Sequence, residues 1–215
     1  MNIIVRTRKE AGIDFEVLYK LVQESFTLWT AKGFDAPALH RSFDEFMQAI
    51  SNATVFVGLD AETKELLGMH CFYVDSRNNC LNGFYLAVYP KYMNQGIASR
   101  MLALEEKYIR KSGFKYLQGE TAINAPWSVN WHLKNGYRIV GYRRCKGRNY
   151  ASYVFRKQLI CDPRHHPTDL LWMPPLAPLT ARLRFTATYL ATRLLKHSDG
   201  HPNPLGRIVK SLVSK

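Results

Sequence analysis

The stretch from Phe84 to Leu117 restricts the fold more than any other part of this chain. Residues 81–88 read as a strand that Pro90 ends. The apolar positions Ile97, Met101, Leu102, Leu104, Tyr108 and Ile109 then recur at a helical period. Gly113 closes that helix, with Lys107, Arg110 and Lys111 in its last turns, where cations meet the negative end of the helix dipole. Tyr116-Leu117 opens the next strand. Strand, helix and strand in direct succession require a parallel pair joined by a right-handed crossover, which makes the fold class α/β.

The flanking segments fill in the rest. Ile3-Ile4-Val5-Arg6 is a short strand, and Phe15, Leu18, Leu21, Val22 and Phe26 form the apolar stripe of a first helix. After a break at Gly33-Phe34-Asp35-Ala36-Pro37, Ser42-Phe43-Asp44-Glu45 offers an N-cap and an acidic first turn to a second helix. Residues 54–59, 66–74 and 81–88 alternate as strands joined by polar turns, an antiparallel meander. A helix over 126–134, closed by Asn135-Gly136, precedes strands over 137–143 and 150–158. The main domain is therefore expected over 1–160. Residues 161–179, with Pro163, Pro167, Pro174, Pro175 and Pro178, read as an extended strap, and residues 180–215 as a basic amphipathic helical tail.

Composition bounds the function. A chain of 215 residues buries one good core, and its apolar runs fall far short of the roughly 20 residues that span a bilayer. Asp14, Glu16 and Glu24 argue against a secretory leader, so a cytoplasmic protein is expected. Cys71, Cys80, Cys145 and Cys161 have no C-x-x-C spacing and read as reduced structural thiols. The net charge of +13 suits an anionic partner: a phosphorylated cofactor, nucleic acid or an anionic membrane. His165-His166 beside Cys161 lacks ligand spacing, so no metal is expected. Tyr142, Arg143, Arg144, Lys146 and Arg148 accompany no nucleic-acid reader motif, and a basic hairpin is the plainer account.

The chemistry concentrates between Leu86 and Arg100. A turn with little side-chain bulk at Gly96 and Ala98, opening a helix, presents successive backbone N–H groups to a phosphate, with Lys91 and Arg100 adding charge. An ordinary strand-to-helix turn would use the same residues. The segment resembles the acyl-CoA-binding motif of the GNAT N-acetyltransferase superfamily, Arg/Gln-x-x-Gly-x-Gly/Ala after a Leu-Ala-Val-x-Pro strand end. Leu86-Ala87-Val88-Tyr89-Pro90, Gly96 and Ala98 match it, while Met93 stands where Arg or Gln is usual. Downstream, Asn124-Ala125-Pro126-Trp127-Ser128 and Lys134-Asn135-Gly136-Tyr137 match a second family pattern, and the resemblance covers residues 3–158.

The resemblance implies a GNAT-like mixed, mostly antiparallel central sheet with helices on both faces. It implies acetyl-CoA as acyl-donor substrate, its pantetheine arm laid along Leu86, Ala87 and Val88 between two splayed strands. The pyrophosphate would meet Met93, Asn94, Gln95, Gly96, Ile97, Ala98 and Ser99, and Asn124 would hold the pantetheine or the acceptor. The N–H of Val88 or Tyr89 would polarise the thioester carbonyl. Glu120 is the expected base, or a solvated strand-end charge. His132, where many members carry Tyr, is the expected acid for the departing thiolate, or a plain helix-surface histidine, with Ser128 as a substitute partner.

The expected activity is acetyl transfer to a primary amine of a small molecule or sugar by direct attack, the acceptor pocket drawn from Trp29, Phe34 and His40. A membrane-surface acyltransferase with a longer acyl donor, and a non-catalytic acyl-CoA- or nucleic-acid-binding module, remain open as alternatives. The tail packs on the domain, joins a homodimer or contacts a membrane peripherally.

Overall fold

A computed structural model describes residues 2–76, 78–144 and 149–159. The strap, the tail, Cys145 and Cys161 lie outside them, as do His165 and His166.

Seven strands form one sheet in the order β1-β2-β3-β4-β5-β7-β6. These are β1 (Ile3–Thr7), β2 (Thr54–Asp60), β3 (Leu66–Asp75), β4 (Cys80–Val88), β5 (Tyr116–Ala122), β6 (Arg138–Arg144) and β7 (Ala151–Gln158). The expected meander is present, since β2, β3 and β4 pair antiparallel in succession. The crossover predicted from the strand–helix–strand order makes β4 and β5 the one parallel pair among the described strands. β5 continues antiparallel into β7, and β7 into β6.

Helices cover both faces. On one, α2 (Phe15–Thr30) and α3 (Phe43–Ile50) bury Leu18, Leu21, Val22, Phe46 and Ile50 against Val55, Val57, Met69 and Ala87. Ser42 caps α3 in a reciprocal capping box with Glu45, as its sequence announces. On the other face, α4 (Ile97–Ile109) and α5 (Pro126–Lys134) close over Phe56, Phe72, Leu81, Leu117, Tyr153 and Phe155.

Two differences from expectation concern helices. A four-residue α1 (Arg8–Ala11), capped by Thr7 and Glu10, follows β1 directly and carries no apolar stripe to announce it. Tyr108, expected on the buried stripe of α4, is 55% exposed, whereas Glu105 is 0% exposed. The buried face holds Ile97, Met101, Leu102, Glu105, Glu106 and Ile109, so two acidic residues are buried and Glu105 occupies a core position.

Candidate active site

The site begins where β4 and β5 part. Their pairing is confined to Cys80↔Tyr116, Leu81↔Leu117 and Asn82↔Gln118. Beyond it, β4 follows β3 as far as Val88↔Gly68, and β5 follows β7 as far as Ala122↔Ser152. A bulge aids the divergence: three β4 steps from Phe84 to Ala87 face two β3 steps from Cys71 to Met69. Tyr85 sits in it at φ 48, a left-handed conformation costly for a bulky side chain, held by a hydrogen bond that Arg41 donates to its hydroxyl. The result is a fork with two open strand edges.

Hydrogen bonding decides which N–H looks into it. Tyr89 donates to the Leu67 carbonyl at 3.0 Å, so it is spent on β3 and is not the carbonyl-polarising group that the sequence allowed. Alternation along the strand then turns the Val88 N–H toward the open edge.

At the fork's mouth lies the turn before α4. Asn94 and Gly96 adopt left-handed backbone angles (φ 61 and 76), which curl the chain so that α4 starts at Ile97. The first amides of α4 have no carbonyl within the helix to bond. Arg100 donates to the Gln95 carbonyl at 2.7 Å and braces the turn, while Met93 packs its side chain on the Val88–Ile97–Met101 cluster. Ser99 ties α4 to α5 by accepting from Trp131 and Asn135, both at 3.1 Å. Lys91 is paired with Glu65 at 2.6 Å, and Asn124 sits exposed in the turn after β5. A surface groove of about 480 Å³ lies between α2, the start of β3 and Tyr89–Lys91, and another of about 490 Å³ lies between β1 and α4.

The two faces of the fork differ. On the α4/α5 face, Gly83 and Gly119 are the first residues past the last pair, and imidazoles overhang both. His70 Nε2 is 2.7 Å and His132 Nε2 3.2 Å from where a Cβ would stand on Gly83 and Gly119. His132 stacks on Phe155 (4.4 Å, 22°), and its Nδ1 lies 2.8 Å from the Ser128 carbonyl. A carbonyl only accepts, so Nδ1 carries the proton and Nε2 of the neutral ring is an acceptor. Burial pushes the His132 pKa down to about 4; the Ser128 bond opposes this and His70 adds to it.

On the opposite face Glu120 is held by Arg143 at 2.7 Å, with Tyr73 and Phe84 nearby on β3 and β4. At the far end of β5, Trp29 and Phe34 meet Trp127 and Tyr150 in edge-to-face contacts of 5.4 to 6.1 Å, and the Lys32 ammonium lies 3.9 Å over the Trp127 ring. His40 does not join them, being exposed and bonded to Asp35 at 2.9 Å. His70 and Glu105 were missed by the sequence reading, although a glutamate on the apolar stripe of α4 was a visible signal.

The depressed His132 pKa has a consequence for stability. Between pH 6.5 and 4 the unfolded chain takes up a proton at this ring that the folded chain refuses. The contribution is complete above that window and is lost as pH falls through it, by about 3 kcal/mol. Melting temperature should therefore drop more steeply from pH 7 to 4.5 in the wild type than in His132→Gln; equal slopes would contradict the assignment.

An open fork between parallel strands, with a phosphate-suited helix start at its mouth, fits an acyltransferase. The chain belongs to the acetyltransferase (GNAT) family, whose model matches residues 15–137. Solved structures share the fold at low identity. A spermidine N-acetyltransferase chimera from Vibrio cholerae and hSSAT aligns with TM-score 0.60 and 16% identity over 74% of this chain and 96% of its own. A GNAT acetyltransferase from Elizabethkingia anophelis with acetyl-CoA bound aligns at 0.56 and 17% over 73% and 98%. The ribosomal-protein-S18-alanine N-acetyltransferase of Escherichia coli aligns at 0.57 and 13% over 77% and 99%. A search of curated proteins finds no match.

Proposed function

We propose that the chain transfers an acetyl group from acetyl-CoA to a primary amine of a small molecule or sugar by direct attack. The open fork beyond Asn82 and Gln118 carries this reading, because its unpaired strand edges suit the amides of a pantetheine arm. Leu86, Ala87 and Val88 supply one edge, and residues 93–99 with the first amides of α4 hold the pyrophosphate. The Elizabethkingia neighbour binds acetyl-CoA on the same fold. The acyltransferase unit ends near residue 160, just after β7, which enters the sheet between β5 and β6.

The Val88 N–H polarises the thioester carbonyl, a donor aimed at developing negative charge. Glu120, on the face away from α4 and α5, takes the amine proton directly or through water. His132 is neutral near pH 7 with an acceptor Nε2, so it suits receiving a proton better than giving one.

Acceptors named for the neighbours range from spermidine to an alanine of a ribosomal protein, so the fold does not select one. Thiol release from acetyl-CoA across a panel of amines tests the reading. Turnover is expected with primary amines. Binding of acetyl-CoA without turnover on any amine would leave a non-catalytic acyl-CoA-binding module instead.

A further inference from the structure

The sheet ends at β1, which pairs with β2 alone among the described strands. Alternate residues of such an edge strand point their N–H and C=O groups away from the sheet, a template for another extended segment. Along this edge runs the groove of about 490 Å³, with Ile3, Val5, Phe56, Leu104 and Tyr108 among its walls. Tyr108 packs edge-on against Phe56, with ring centroids 5.2 Å apart, and still leaves 55% of its surface exposed. An apolar groove beside a free strand edge suits a peptide that offers both backbone hydrogen bonds and apolar side chains.

Charge narrows what can lie there. Arg6, Lys107 and Lys111 also line the groove, with Glu10 its one acid. Neither lysine forms an ion pair among the described residues. Residues 182–215, rich in Lys and Arg, would meet like charge here. From His165 to Ala181, by contrast, the chain has no Lys or Arg and one acid, Asp169. Within that stretch, which lies outside the described residues, Thr168-Asp169-Leu170-Leu171-Trp172-Met173 is a proline-free run bounded by Pro167 and Pro174. Every one of its residues has an N–H to give, and its length suits the five residues of β1.

The run also starts within reach. Leu159, the last of the described residues, donates to the Lys115 carbonyl at 2.8 Å and is buried in the same apolar cluster as Phe56 and Ile109. The chain therefore leaves the sheet near the C-terminal end of α4, where Lys107, Tyr108 and Lys111 form one wall of the groove. Residues 160–168 extend up to about 30 Å, further than the length of α4, which is about 20 Å.

We infer that residues 168–173 of this chain lie along the free edge of β1 as an added strand, with Trp172 against Phe56 and Tyr108. By period-two alternation Leu170 joins Trp172 on the α4 side, and Asp169 falls on the other side of the strand, that of Arg6. The added strand covers backbone groups that would otherwise invite pairing with a second copy. The docking does not depend on the identity of the acyl donor or the acceptor.

Photocrosslinking of the full chain, with Tyr108 replaced by p-benzoylphenylalanine, tests the docking. A crosslink within one chain to residues 168–173 is expected, at a yield independent of protein concentration. A crosslink to residues 182–215 or to a second copy would overturn the proposal, as would the absence of any. Hydrogen exchange gives a second readout. Trp172→Asp places a charge against the apolar wall, so the β1 amides should exchange at least about tenfold faster, with those of β5 and β7 unchanged. Trp172→Phe should exchange as the wild type does. Equal β1 exchange in Trp172→Asp and wild type would contradict the added strand. Should Trp172→Asp loosen β5 and β7 as well, the crosslink alone decides.

Discussion

Gly96→Glu is expected to weaken acetyl-CoA binding at least about 100-fold, close to 3 kcal/mol, without unfolding the protein. Two effects act together. Gly96 sits at φ 76, where any L side chain costs roughly 1–2 kcal/mol. The new carboxylate would also occupy the positive end of α4, where the pyrophosphate is expected, and repel it. The fold survives because an added Cβ meets nothing nearer than Arg100 Nε at 3.9 Å. Gly96→Ala separates the two effects, since it carries the backbone cost alone and should lose about tenfold. Isothermal titration reads both, and affinity for Gly96→Glu within threefold of the wild type would remove the phosphate from this turn.

The second large effect lies beneath the site. Phe155 is 0% exposed and forms the floor on which His132 stacks. Phe155→Ala removes a full aromatic ring from a core that includes Leu117, Val129, Ile139 and Tyr153, and should cost about 3–5 kcal/mol. In a protein of this size that is a fall in melting temperature on the order of 10 °C. The vacated space also lets water reach His132, so the pH dependence of stability should flatten in the same variant. A loss under about 1 kcal/mol would mean that the site's floor is not rigidly packed.

The frame of the molecule was readable in the sequence because it rests on periodicity and punctuation. The 3.6-residue stripe of α4 after the Pro90 stop dictated the crossover, and Ser42 with Glu45 marked the start of α3. The GNAT resemblance, rather than spacing, pointed to Leu86–Val88, residues 93–99, Glu120 and His132 as one site. Less visible was anything that depends on register. The fork exists because pairing stops after Asn82 and Gln118, and a β4 bulge does not declare itself in residues as ordinary as Tyr85 and Leu86. The choice between the Val88 and Tyr89 amides likewise follows from one hydrogen bond to Leu67.

Single buried polar groups were hidden for a different reason. Glu105 falls on the α4 stripe four residues after Met101 and Tyr108 at its margin, yet hydrophobicity alone ranks tyrosine as the inner residue. Burial reversed that order because His70, 35 residues earlier, supplies Glu105 with a partner. His132 was found by its place in the family pattern, but the ring's tautomer and charge came from the Ser128 carbonyl and the Phe155 stack.

A crystal structure of the wild type with bound acetyl-CoA tests the central claim most directly. Pyrophosphate oxygens are expected against the amides of residues 94–99, with the pantetheine along the free edge of Leu86–Val88. Acetyl-CoA bound anywhere else, or strands β4 and β5 paired through to Val88 with the fork closed, would contradict it.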